Sequence, residues 1–260
     1  MKNVNYLKTI KPLIKEAGQK ALKKFYKFER HNAMLKSKQD LVTKVDLETE
    51  KFLLKNIKKA WPEHGFLAEE SGKQSFSSPY IWFIDPIDGT TNFSIHNPLW
   101  SISIGLAYKK DIIFGAIYFP FLDELFSANK NQGAYLNKKR LKLKPKLNPG
   151  KIIHTYCHGS GKENKDKAIK YYTIQKKQSL DCRQLGSAAI ELSYVAAGRI
   201  DSIVIPGAKP WDIAAGSLIA KEAGAQVLDF QGKPWSLNSS DILVCHPKAK
   251  ADILKVLKNL

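Results

Sequence analysis

Tyr80-Ile81-Trp82-Phe83-Ile84-Asp85-Pro86-Ile87-Asp88-Gly89-Thr90-Thr91-Asn92-Phe93 runs a continuous apolar segment into two aspartates three residues apart. The segment 80–84 is too short for a helix and is stopped by Asp85-Pro86, so it reads as a buried strand. A buried strand end does not carry two carboxylates without compensation, because unpaired buried charge is expensive. Pro86 removes a backbone donor and stiffens the turn. Gly89 lets the backbone approach a ligand closely, and Thr90 can open a short helix. Two carboxylates and a helix start then face one point. Carboxylates hold hard cations such as Mg²⁺, and free N–H groups at a helix start bind phosphate oxygens. The dipeptides Asp-Pro and Asp-Gly also serve plain turns, with Asp85 capping the turn and Asp88 the helix. This motif alone leaves both readings open.

The segments on either side supply more acid. Phe66-Leu67-Ala68 reads as a short strand leading into Glu69-Glu70, sixteen residues before Asp85, and can return a carboxylate to the same edge. Asp212 lies at the start of an apolar helix in Lys209-Pro210-Trp211-Asp212-Ile213-Ala214-Ala215-Gly216, where an acid is also favoured by the helix dipole.

The N-terminal third reads as a helix over 3–27, a polar loop over 31–39, and a second helix that Asp46 caps. After the central strand, four more are predicted over 100–108, 112–119, 124–128 and 133–136, a meander with turns at 109–111 and 120–123. The basic segment 137–150, with Pro145, Pro149 and Gly150, is the expected lobe boundary. Beyond it strands and helices alternate: strands over 151–157, 201–205, 226–228 and 242–245, helices over 162–177, 184–197, 210–223 and 247–257. A meander first and α/β alternation later imply a layered α/β sandwich with two lobes, an N-terminal α+β lobe over 1–140 and a C-terminal α/β lobe over 141–260.

The bulk composition removes several function classes. With 260 residues and 43% hydrophobic content, the chain can bury a sizeable core. No apolar run approaches the roughly 18–20 residues a membrane span needs. The N-terminus reads as an amphipathic helix rather than a signal peptide, so a cytoplasmic protein is expected. Cys157, Cys182 and Cys245 have no metal-ligand spacing and are expected to be buried free thiols. The net charge of +18, from 42 Lys+Arg against 24 Asp+Glu, favours anionic partners. Because the lysines are scattered through the chain, a small phosphorylated metabolite is favoured over nucleic acid, which stays an alternative.

Five segments together resemble the inositol monophosphatase family, within the lithium-sensitive, Mg²⁺-dependent phosphatases. They are Asp40-Leu41-Val42-Thr43-Lys44-Val45-Asp46, Ala68-Glu69-Glu70-Ser71, Asp85 to Phe93, Gly186-Ser187-Ala188-Ala189 and Trp211 to Gly216, in the family's order and at similar spacing. The resemblance implies a five-layer αβαβα sandwich and a homodimer. It implies that Glu69, Asp85 and the Ile87 backbone carbonyl hold one Mg²⁺, and that Asp85, Asp88 and Asp212 hold a second. A weaker third ion would lean on Glu69. Asp46 and Thr90, with Glu69, would form the catalytic set that orients and deprotonates an attacking water, without a phosphoenzyme. Substrate contacts are implied at Asp88, Gly89, Thr90, Gly186, Ser187, Ala188 and Asp212.

Lys36 lies in the polar loop and is a candidate to neutralise phosphate or a plain surface lysine. Arg183 is expected to make a structural or interface hydrogen bond. The histidines His96, His154, His158 and His246 have no part in this chemistry, and Trp211 should pack beneath the metal site. One position departs from the family pattern. Many inositol-cleaving relatives carry a glutamate seven residues before the Trp-Asp aspartate, and here Ile205 stands there. An isoleucine cannot bond a ring hydroxyl. The candidate substrates are therefore inositol 1-phosphate or a related sugar-alcohol phosphate, or alternatively the 2′-phosphate of NADP, a 3′,5′-bisphosphonucleotide or fructose 1,6-bisphosphate. An RNA-associated regulatory role is the alternative of another class.

Overall fold

The computed structural model describes residues 5–37, 40–74, 77–145, 147–148 and 151–260. The side chain of Lys36, and Pro149 and Gly150 of the expected boundary segment, lie outside the described residues.

Helix α1 (Tyr6–Phe25) buries Ile10, Ile14, Ala17, Ala21 and Phe25, one stripe at helical spacing. The stretch expected as a loop instead contains a small antiparallel hairpin, β1 (Met34–Ser37) with β2 (Asp40–Val42). Its pairing rests on backbone hydrogen bonds, which leave no hydrophobic period in the sequence. Helix α2 (Lys44–Ala60) comes next, and here a second expectation is corrected. Thr43, not Asp46, is the N-cap, and Asp46 closes a capping box from the third helical position.

The large sheet has eight strands: β3 (Gly65–Ala68), β4 (Gly72–Gln74), β5 (Tyr80–Asp88), β6 (Ser101–Tyr108), β7 (Asp111–Phe119), β8 (Glu124–Asn129), β9 (Ala134–Leu136) and β10 (Lys139–Leu141). Their order is β10-β9-β8-β7-β6-β5-β3-β4, with β3 parallel to β5 and the remaining pairs antiparallel. Short, polar β4 and β10 carry no alternation, and sequence reading passes over both. The helix expected at Thr90 is present as the single turn α3 (Thr90–Ser94).

The second sheet comprises β11 (Ile153–Tyr156), β12 (Asp181–Arg183), β13 (Ser202–Pro206), β14 (Gln226–Leu228) and β15 (Asp241–Cys245), in the order β12-β11-β13-β15-β14. Its helices are α4 (Lys162–Gln178), α5 (Ala188–Ala196), α6 (Pro210–Glu222) and α7 (Lys250–Leu257). Residues 184–187, expected as helix, form the loop before α5, because Gly186 at φ 81° and Ser187 as N-cap end the preceding segment.

Side-chain alternation sorts these elements into layers. Ile102, Ile104 and Leu106 of β6 face α1 and α2, where they join Ile10, Ile14, Leu53 and Ile57. Ile203 and Ile205 of β13, with Ile242 and Val244 of β15, face α5 and α6. Val204, Leu243 and Cys245, one residue out of phase, face α4 and α7 through Tyr171 and Ile253. The result is helix pair, eight-stranded sheet, helix pair, five-stranded sheet, helix pair: the αβαβα sandwich.

One contact sets where α6 lies. Gly105 and Gly115 are register partners on β6 and β7. A Cβ at Gly115 would stand 2.7 Å from Ala215 O, and one at Gly105 would stand 3.0 Å from Ala214 Cβ. Two adjacent glycines thus open a groove that receives the α6 backbone directly, and α6 carries Asp212 in its first turn.

Candidate active site

β5 ends in a bulge. Asp85 pairs with Ser103 and Asp88 with Ser101, and the register shifts across Pro86-Ile87. Both carboxylates therefore stay at the sheet end and are buried, Asp85 only 2% exposed. Asp85 turns one oxygen onto the Ile87 amide (3.0 Å). Glu69 comes directly after β3, the parallel neighbour of β5, and its amide donates to Ile84 O (3.0 Å), which holds it beside Asp85. Asp212 arrives from the central helix layer. Glu69, Thr90 and Asp212 are only partly buried, so the group opens to solvent on their side.

Asp88 joins the large sheet to the start of α5. It accepts the Ser187 hydroxyl, the Ala188 amide (3.2 Å) and the Ala189 amide (2.7 Å) at the start of α5. Gly89, at φ 99°, is the close approach of the same junction: a Cβ there would lie 3.0 Å from Leu99 O and 3.2 Å from Gly186 O. Asn92 ties the two loops further, its Nδ2 donating to Leu99 O (2.7 Å) and Leu185 O (2.8 Å).

The Asp46–Thr90 pair expected from the sequence is formed. Thr90 Oγ1 donates to Asp46 Oδ1 (2.9 Å) and lies 3.0 Å from Ile87 O. The other oxygen of Asp46 accepts the Thr43 hydroxyl and the Thr43 amide (3.0 Å).

The electrostatics identify what the group lacks. Burial, and after it the charges of Glu69, Asp88 and Asp212, holds the Asp85 carboxyl well above the usual carboxylate range. Burial and then Asp88 and Glu69 do the same to Asp212, against which Lys209 acts in the opposite sense. Asp88 is pushed up to about 6 by burial, although Ser187 and the α5 amides pull it down. Asp46 is likewise pushed up to about 6 by burial, partly offset by Thr43 and Thr90. Glu69, Asp88 and Asp212 thus raise a neighbouring acid, and among the described residues Lys209 opposes them at Asp212. An all-oxygen, negatively charged donor set of this kind fits a hard divalent cation. Among the described residues no three His, Cys, Asp or Glu side chains stand as a ready coordination shell. Asp88 and Asp46 spend their oxygens on the neighbours just named.

The remaining expected positions lie around this group or away from it. The Gly186 and Ala188 amides are engaged within the protein, by Glu191 (3.1 Å) and Asp88. Arg183 is exposed and pairs with Asp181. Trp211 packs beside Leu67, Phe83 and Ala214. The rings of His96, His154, His158 and His246 are hydrogen-bonded to Phe28 O, Ser202 Oγ, Gly159 O and Lys144 O, away from the acids. The three cysteines are buried and free. Ile205 is buried opposite Ile242 in the layer between the sheets. No helix among the described residues is long and apolar enough to cross a membrane.

Sequence reasoning missed two buried glutamates. Glu50 on α2 accepts the Glu70 and Ser71 amides (2.9 Å each) and fastens the turn behind Glu69. Glu191 on α5 accepts the Leu185 and Gly186 amides. A signal existed for both. Glu50 sits one turn after Asp46 on the same helix face, and Glu191 interrupts a helix that is apolar on every side.

A five-layer αβαβα sandwich with acidic side chains gathered at one edge is the architecture of inositol monophosphatase-fold proteins. The chain belongs to the inositol monophosphatase family, whose model matches residues 3–260. It is 35% identical to the Nus factor SuhB of Vibrio cholerae over 246 residues, 94% of this chain and 92% of that protein. An IMPase of Thermotoga maritima superposes with a TM-score of 0.90 at 29% identity, covering 98% of each chain. SaIMPase-II, with structures described as inositol monophosphate bound and 2′AMP bound, superposes with TM-scores of 0.81 and 0.80 at 27% and 29% identity. Those two superpositions cover 98% and 96% of this chain, and 95% and 93% of the other.

Proposed function

We propose that this protein is a Mg²⁺-dependent phosphatase that hydrolyses a small phosphate monoester. The observation that carries the reading is the convergence of Glu69, Asp88 and Asp212 on the buried Asp85, whose carboxyl burial and those three charges hold above the usual range, a set of acidic oxygens suited to a divalent cation. Glu69, Asp85 and the Ile87 carbonyl would hold one ion, and Asp85, Asp88 and Asp212 a second, with a weaker third beside Glu69. Bound there, Mg²⁺ supplies charge stabilisation for the phosphoryl group and makes water a better nucleophile near neutral pH.

The protein's own part stems from the Thr90–Asp46 hydrogen bond. The Thr90 hydroxyl oxygen accepts a proton from the attacking water while its own proton passes to Asp46 Oδ1. A base held at about 6 is ionised at neutral pH yet close enough to it to take a proton. Attack is in line, and no phosphoenzyme forms.

For substrate, a sugar-alcohol phosphate such as inositol 1-phosphate is the first reading, supported by the inositol monophosphate bound to SaIMPase-II. The 2′AMP bound to the same relative favours a second scope that includes nucleotide 2′-phosphates. The test is phosphate release from inositol 1-phosphate, NADP, phosphoadenosine phosphate and fructose 1,6-bisphosphate, each with and without Mg²⁺. Mg²⁺-dependent release from at least one supports the reading. A folded protein that releases phosphate from none overturns it, and the SuhB likeness then makes RNA binding at physiological salt the next assay.

A further inference from the structure

Glu191 is a fully buried acid outside the four-carboxylate group, with 0% exposure in the first turn of α5. Its Oε1 accepts three donors: the Leu185 amide (2.9 Å), the Gly186 amide (3.1 Å) and the Cys157 thiol (3.2 Å). Its Oε2 makes no well-formed hydrogen bond, although the Thr155 hydroxyl lies close enough to the carboxyl to favour its charged form. A carboxyl in the apolar central layer costs stability unless the fold uses it. The three residues after Gly186 reveal the use. Ser187, Ala188 and Ala189 deliver a hydroxyl and two amides to Asp88. The same loop is held from its other side by Asn92, through Leu185 O (2.8 Å). Gripped at its amides by Glu191 and at a carbonyl by Asn92, the loop has one place to put the start of α5.

We propose that Glu191 is a positioning residue, whose buried carboxyl pins the Leu185–Gly186 turn so that Ser187 and the first amides of α5 meet Asp88. The inference rests on the reading of Asp88 as part of the phosphatase site. What the turn needs is an acceptor oxygen rather than a charge. Burial pushes the Glu191 carboxyl up to about 8, so at neutral pH it is mostly the neutral acid, for which glutamine is a near-isostere. Glu50 grips the Glu70 and Ser71 amides in the same manner from α2, so a loop beside each sheet is fastened by a glutamate from a packed helix.

The experiment compares Glu191→Gln, which keeps the acceptor, with Glu191→Leu, which keeps the bulk and removes it. Two readouts are taken at pH 7: amide hydrogen exchange over 185–189, and the Mg²⁺ concentration giving half-maximal phosphate release. Glu191→Gln should match the wild type within about twofold in both. Glu191→Leu, folded by its far-ultraviolet spectrum, should exchange at least tenfold faster over 185–189 and need at least tenfold more Mg²⁺. Unchanged exchange and Mg²⁺ response in Glu191→Leu overturns the proposal, as does a Glu191→Gln variant as impaired as Glu191→Leu. A wild type that releases no phosphate refutes the phosphatase reading instead, and the exchange rates still decide the role of Glu191. Should Glu191→Leu fail to fold, Glu191→Met, which likewise lacks the carboxyl oxygen, takes its place, and unaltered exchange over 185–189 in that variant likewise overturns the proposal.

Discussion

Replacing Gly115 with alanine perturbs the site without touching any acid in it. The new Cβ would lie 2.7 Å from Ala215 O, whereas ordinary contact begins at 3.4 Å, so the α6 backbone must retreat by about 0.7 Å. Overpacking of this size costs about 1–3 kcal/mol, and alanine recovers some of that by its smaller loss of backbone freedom than glycine. A net loss of about 1–2 kcal/mol lowers the melting temperature of a chain this long by roughly 2–8 °C. The functional effect should be larger. Catalytic groups tolerate about 0.5 Å of displacement, and Asp212 rides in the first turn of the helix that moves. Since a misplacement of about 1 Å can cost a hundredfold in rate, turnover should fall about 10–100-fold. Mg²⁺ half-saturation should rise with it. The assay is phosphate release over a Mg²⁺ titration, paired with a thermal melt. Gly105→Ala is the graded control, because its nearest contact is 3.0 Å and a few tenths of an ångström suffice there. Normal turnover and Mg²⁺ response in Gly115→Ala, or a larger defect in Gly105→Ala, would refute the reasoning.

Asp88→Asn should leave the fold intact and reduce Mg²⁺-dependent turnover by at least a hundredfold; a near-normal rate removes the central claim about the site. Thr43→Ala removes a helix cap and a hydrogen bond that lowers the Asp46 pKa. It should cost about 1 kcal/mol in a denaturant melt and move the acid limb of the pH–rate profile to higher pH, and an unmoved limb contradicts the assigned base. Glu191 is raised from 4.5 to about 8, so its stabilising contribution is complete below pH 4.5, declines up to about pH 8 and is gone above it. At about 1.4 kcal/mol per unit the decline totals about 5 kcal/mol, and Glu191→Gln should flatten it in melts between pH 5 and 9. Parallel curves for the two proteins would contradict the buried neutral acid.

The layers, and the acids that the fold brings together in the candidate site, were legible because they rest on contrasts that a one-dimensional string preserves. An apolar run that turns acidic at Asp85 and Asp88 marks a strand edge with something to hold. The shift from meander to alternation beyond residue 140 marks a second sheet. What stayed hidden depends on partners far away in sequence. Nothing near Glu191 says that its oxygen meets Leu185, Gly186 and Cys157 at once. Nothing near Ser187 says that its hydroxyl caps α5 and binds Asp88 together. The β1–β2 hairpin escaped for another reason, since backbone pairing alone leaves the choice of side chain almost free. Thr43 was overlooked because Asp46 three residues later is an equally good cap by type, and the reciprocal hydrogen bonds that separate their roles are tertiary detail.

Asp88 and Ala189 are 101 positions apart along the chain, yet they share a hydrogen bond of 2.7 Å. During synthesis the large sheet can form while α5 is still being made, and in that interval Asp88 sits at a sheet end without its donors. On the phosphatase reading proposed above, a half-made chain still lacks Asp212 and the α5 donors of Asp88, so its site is complete only when the second half docks. On the same reading, onset of phosphate release would report the last folding step, and a product truncated before α5 would show none.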